Sequence, residues 1–224
     1  MQTKGEKHLV SRLKALLTGD ADGSPPRRVL HIGPDKGVAI ENQLVRAGCR
    51  FFCDRLDADD CTVSHPNVQS CWSAPVERMS MVPSGYYDAA LANYVLEHVT
   101  DLQAAAAEIH RVLKPRGLFL AAVPNVAAPE FRISRITPLW FHRMVRGRES
   151  WHTTYLYGSV PELAQVFERA GFETLEIGYY PCIESYLERF PVLAFMGRMY
   201  DRLVTTCDLR WAMGDVCAVF QKSG

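Results

Sequence analysis

Apolar and polar positions change period several times along the chain, and the changes mark its elements. Leu9, Val10, Leu13, Leu16 and Leu17 recur at helical spacing, which predicts an amphipathic helix over 6–17. A Gly/Asp/Ser/Pro-rich linker follows at 19–26. Residues 29–32 then read as a buried strand and 38–47 as a helix stopped by Gly48. Residues 50–54 form a second strand that ends in the acid Asp54. Only about a dozen residues separate it from a third strand at 68–71, too few for an average crossover helix, so a loop is expected there. Further strands fall at 87–92, 118–123, 173–179 and 216–220. Helices fall at 101–114 and 160–170, with a helical stretch over 183–207.

Strands alternating with helices argue for an α/β fold, with a mostly parallel sheet covered by helices on both faces. Two strand ends stand out as openings. Val29-Leu30-His31-Ile32 runs into Gly33-Pro34-Asp35-Lys36-Gly37, and Asp88 to Ala92 runs into Asn93-Tyr94-Val95-Leu96-Glu97-His98. The second reads as a strand breaking directly into a helix start. Open parallel sheets build ligand crevices where strand ends meet polar loops.

Composition narrows the class. The chain has 224 residues, and its 48% hydrophobic content supports a full core and excludes disorder. Lys+Arg and Asp+Glu are both 25, so the global basic field of a general nucleic-acid binder is absent. The seven cysteines form no CxxC pair, so no zinc or redox site is signalled; the odd count favours a reducing cytosol. The first residues lack the apolar core of a signal peptide, and no apolar run reaches the length of a membrane span. The expected location is therefore cytoplasmic.

The candidate chemistry gathers at the openings. Gly33 and Gly37 let a ligand approach backbone, and the following helix N-terminus offers free N–H groups, although tight turns also hold glycine for steric reasons. Asp54 stands where a nucleotide site places a carboxylate for ribose hydroxyls, with Asp57 as its rival in an acid-rich loop. His98 and His152 are the candidate proton acceptors. For His98 the structural pair with Glu97 comes ahead of the proton-acceptor reading, whereas His152 reads equally as a surface histidine. Arg132, Arg135, Arg143, Arg146 and Arg148, interleaved with aromatics, fit a lid for an anionic or lipid-linked substrate or simply a solvated helix face. The aromatic and methionine residues of 181–213 fit core or a homodimer surface.

The order of glycine turn, acidic strand end, Leu91-Ala92-Asn93-Tyr94 with Val95-Leu96-Glu97-His98-Val99, and the Lys114-Pro115-Arg116-Gly117 exit resembles the class I S-adenosylmethionine-dependent methyltransferases. The similarity covers 27–124, with a weaker echo over 157–172 and in the closing strand, and is closest to the group with the VLEHV signature. That group includes many small-molecule and sugar methyltransferases. The resemblance implies a Rossmann-like, seven-stranded, mostly parallel sheet with an antiparallel last strand and helical lid insertions. It implies S-adenosylmethionine as cofactor, with Gly33 and Gly37 facing its methionine part, Asp54 the ribose, Ser73 and Ala74 the adenine, and Asn93 and Tyr94 the sulfonium.

Two positions depart from the family turn. His31 replaces the usual acid, and Asp35 replaces the middle glycine, where it can restore the missing charge from the loop. After strand three, Cys71-Trp72-Ser73-Ala74 replaces an expected acid.

The expectation is one methyltransferase-like domain over 1–224. It comprises an N-terminal helix and linker (1–26), a cofactor-binding core (27–124) and lid or substrate insertions (125–158 and 181–213). It would methylate a small-molecule hydroxyl of a sugar, glycan precursor or secondary metabolite, using no metal. The alternative is a catalytically inactive binding or scaffold protein of the same fold. A nicotinamide-linked enzyme is disfavoured because the first turn lacks GxGxxG.

Overall fold

The computed structural model describes residues 2–18, 25–33, 37–134 and 155–224. Seven strands form one sheet: β1 (Arg27–Ile32), β2 (Phe51–Asp57), β3 (Val68–Ser73), β4 (Tyr87–Asn93), β5 (Leu113–Pro124), β6 (Phe172–Tyr180) and β7 (Asp215–Lys222). Their order across the sheet is β3-β2-β1-β4-β5-β7-β6. The pairs from β3 to β5 are parallel, while β7 runs antiparallel to both β5 and β6. The Rossmann-like sheet expected from the sequence is therefore present, with its last strand reversed. Chain order turns back between β1 and β4, which opens a crevice at the carboxyl ends of these strands.

Helices cover both faces. The stripe of α1 (Lys4–Thr18) and that of α2 (Ala39–Arg46) place Leu9, Leu13, Ile40 and Leu44 against Val29, Phe51, Ala89 and Leu120. The opposite face receives α3 (Leu102–Val112) and α5 (Val160–Arg169). There Phe167 stacks on Phe220 at 4.8 Å and on Phe119 at 5.1 Å between ring centroids. Asp101 caps α3 by accepting from the Ala104 N–H, and Ser159 caps α5 through Glu162 N–H. The short α4 (Pro129–Ser134) follows β5, and α6 (Ile183–Leu187) and α7 (Pro191–Thr206) stand between β6 and β7.

Three expectations change. The strand expected at 50–54 continues to Asp57, because Cys53 through Leu56 are all buried and pair with β1 and β3. The segment after Asn93 is a turn, and the helix starts only at Leu102. Leu96 and Val99 are buried in that turn, so packing outweighs their helical spacing. The stretch 183–207 is two helices, divided before Pro191. As expected, the link between β2 and β3 holds no helix. Among the described residues, no helix is long and apolar enough to cross a membrane.

Candidate functional site

A cavity of about 520 Å³ opens at the carboxyl ends of β1 to β4. Each strand contributes its exit: Ile32 and Gly33 from β1, Leu56 to Asp59 from β2, Ala74 to Glu77 from β3, and Tyr94, Val95, His98, Val99 and Thr100 from β4. Apolar walls with a few carboxylates are the make-up of a small-molecule site.

Gly33 is a glycine for two reasons. Its φ is +62°, which side-chain-bearing residues rarely adopt, and a Cβ there would run into the Val95 side chain. Its N–H donates to the Leu56 carbonyl at 2.7 Å, tying the first turn to the end of β2. At that end, Asp57 faces the cavity and accepts from the Asp59 N–H at 2.9 Å. Asp54, by contrast, lies inside the strand. It is buried and accepts the Tyr87 hydroxyl at 2.8 Å, well behind the strand end that opens on the cavity. The extension of β2 by three residues thus puts the sequence's rival carboxylate at the crevice.

Beneath the first turn, His31 Nδ1 lies 2.9 Å from Glu41 Oε1, both residues buried. Burial alone would raise the Glu41 carboxyl. The bond and charge of His31, helped by its own backbone and by Arg55, outweigh burial and hold it below the usual range. The carboxylate is therefore ionised and accepts, and Nδ1 carries the proton. Arg55 Nε lies 4.0 Å from the same oxygen, and its Nη2 donates to the Gly37 carbonyl at 2.9 Å. The carboxylate beside strand one is thus that of Glu41 from α2, buried among its partners and not part of the cavity lining.

A second network holds the other rim. Tyr94 has φ +54°, its N–H donates to the Ala122 carbonyl, and its hydroxyl donates to Asp215 Oδ1 at 2.6 Å. Asp215 Oδ2 accepts the Gly5 N–H of α1 at 2.8 Å. Burial raises the Asp215 carboxyl despite these bonds, and burial with the Asp215 charge pushes the Tyr94 phenol well up. Asn93 Nδ2 donates to Glu6 Oε1 at 2.8 Å. The first turn of α1 is thus anchored to the exit of β4 and the start of β7.

Of the residues singled out by sequence, Gly33, Asp57, Ala74, Tyr94 and His98 line the cavity. Gly37 does not, and instead receives Arg55. Ser73 is exposed, with its Oγ 3.5 Å from the Asp59 carbonyl, and Asn93 is engaged by α1; neither lines the cavity. Asp35 and His152 lie outside the described residues, as does most of the arginine-rich segment. Asp59 and Glu77 were not singled out by sequence. Glu77 accepts from the Thr100 N–H at 2.6 Å and from its hydroxyl at 3.1 Å, closing the gap between the exits of β3 and β4. The acid-rich loop was a signal for Asp59; nothing local marks Glu77. Among the described residues, no cluster of His, Cys, Asp and Glu fits a metal ion.

This sheet order and switch-point cavity define a doubly wound α/β protein with a nucleotide-type site. Residues 1–177 match the family model described as a methyltransferase domain, and the chain belongs to that family. A probable S-adenosylmethionine-dependent methyltransferase of Mycolicibacterium smegmatis is 32% identical over 123 residues, covering 53% of this chain and 42% of that protein. The match thus spans less than half of that relative. The fold is similar to that of Haemonchus contortus phosphoethanolamine N-methyltransferase 2 in complex with S-adenosyl-L-methionine, with a TM-score of 0.63 at 12% identity over 100% of this chain and 54% of that one. It is also similar to an S-adenosylmethionine dependent methyltransferase from Mesorhizobium loti, with a TM-score of 0.58 at 14% identity over 95% and 100% of the two chains.

Proposed function

We propose that the chain is an S-adenosylmethionine-dependent methyltransferase acting on a hydroxyl of a small molecule, such as a sugar, glycan precursor or secondary metabolite. The observation that carries the reading is the cavity itself: it lies at the switch point and joins a left-handed glycine, a strand-end carboxylate and apolar walls. Its volume suits a nucleoside-sized ligand.

The residues present fit the cofactor. Asp57 offers two oxygens to the vicinal hydroxyls of a ribose, a role that passes to it from Asp54 because of its place at the end of β2. Ala74, Pro75 and Val76 form a flat apolar wall for a base, and Gly33 keeps the first turn open to a polar tail. When bound, S-adenosylmethionine supplies an activated methyl group as the electrophile. Tyr94, fixed by Asp215, shapes the rim beyond which an acceptor would enter. Holding an acceptor oxygen in line supplies much of the rate without a covalent step. His98, which lines the cavity, is one candidate to take the acceptor's proton, and His152 is the other. An anionic or lipid-linked acceptor would suit the arginine-rich segment.

The second reading, a binding or scaffold protein without catalysis, draws on His31 at the usual acid position. Calorimetric titration with S-adenosylmethionine and S-adenosylhomocysteine separates the two. Micromolar binding with a thermal shift is expected; no heat and no shift at millimolar ligand would refute cofactor binding.

A further inference from the structure

We propose that α7 is a self-association surface, and that a second copy of this chain packs on it antiparallel about a twofold axis. Seven of the twelve large hydrophobic side chains exposed among the described residues lie on α7 or in the turn after it, which makes this a patch rather than scatter. Val192, Met196, Met199 and Leu203 are 75%, 61%, 51% and 59% exposed. Their spacing of four, three and four residues is the seam of a coiled coil, and Phe195 flanks it.

The helix is not free to roll and bury this seam within the monomer. Its opposite face carries Gly197, Asp201 and Val204, all buried. Asp201 accepts the Ile183 and Glu184 N–H groups at 3.2 and 3.1 Å, capping α6. A Cβ on Gly197 would lie 3.0 Å from Glu184 N, so the two helices meet at backbone distance. The apolar seam is therefore locked outward.

Size and charge select the occupant. With Leu193 and Trp211, the exposed apolar surface comes to roughly 900 Å², above the patch of an ordinary monomer and close to the ~800 Å² each partner of a standard interface buries. Between positions 183 and 212 four arginines meet four acids, and Arg198 and Arg210 are paired with Glu184 and Asp208. An anionic lipid surface would call for an excess of cations around the seam, and here the charges balance. A neutral apolar stripe is complementary to itself, as a twofold interface requires.

Sedimentation velocity on the full chain, from about 1 to 100 µM, tests the proposal. A dimer is expected in the wild type. Met199→Glu should weaken it at least tenfold while the far-UV spectrum and melting temperature stay close to wild type. Met199 lies beside the middle of the seam, so the two copies of position 199 are about 5 Å apart along the axis and Met199→Cys should cross-link to its own copy under mild oxidation. In an antiparallel pair the two exposed Cys207 residues lie roughly 28 Å apart along the axis, so the wild type should not cross-link. A wild type monomeric at 100 µM would overturn the proposal. So would a dimer that Met199→Glu leaves intact, cross-linking through Cys207, or co-sedimentation of a monomer with anionic vesicles that Met199→Glu abolishes.

Discussion

Two aspartates three residues apart should fail in opposite ways when changed. Asp57 opens on the cavity at the end of β2, whereas Asp54 is buried and holds the Tyr87 hydroxyl at 2.8 Å. Asp57→Asn keeps an oxygen for the Asp59 N–H but loses the charge and one acceptor. A hydrogen bond to a charged group contributes about 1.5–3 kcal/mol, and the amide retains part of it, so S-adenosylhomocysteine should bind about tenfold more weakly. The melting temperature should barely move, because Asp57 is half-exposed and its turn survives. Asp54→Ala removes the acceptor of a fully buried phenol. The orphaned hydroxyl and lost contacts should cost about 2–4 kcal/mol, or roughly 5–12 °C in melting temperature for a chain of this size. Its cofactor affinity, measured well below that melting point, should stay within about threefold of wild type. Isothermal titration and scanning calorimetry on both variants decide the matter. If Asp54→Ala loses affinity without losing stability, or Asp57→Asn leaves affinity unchanged, the assignment of the strand-end carboxylate is wrong.

Other consequences follow from the same geometry. Gly33→Ala combines a left-handed backbone with a collision against Val95, and should cost about 2–4 kcal/mol in chemical denaturation and abolish detectable cofactor binding. Phe167→Ala empties the middle of the Phe119–Phe167–Phe220 stack and should destabilise by about 3–5 kcal/mol without changing cofactor affinity at low temperature. Glu41 has its carboxyl lowered in the folded state, so its stabilising contribution is complete above the unfolded value near 4.5 and is lost as pH falls through the folded value. The difference in urea stability between wild type and Glu41→Gln should therefore shrink on going from pH 7 to pH 3, and a constant difference would refute the buried pair. Replacing His98 by Ala should lower turnover with little change in cofactor affinity; an unchanged rate would leave the proton to another acceptor.

The elements themselves were readable from local pattern. Period-two and apolar runs located seven strands because each strand is short and its burial is settled by nearest neighbours in the sheet. Gly33 was readable because turn geometry is a property of a few consecutive residues. The tertiary structure decided what depends on distant partners. It extended β2 to Asp57 because Arg55 and Leu56 pair on both sides and Asp57 with β3, and so moved the crevice carboxylate by three positions. It turned the segment after Asn93 into a packed loop, against its helical spacing, because Leu96 and Val99 find the core. It placed the Glu41 carboxylate of α2 against His31, and tied Tyr94 through Asp215 to Gly5 at the other end of the chain. Those pairings form because a buried charge or phenol must find a partner, and only the folded arrangement determines which one is within reach.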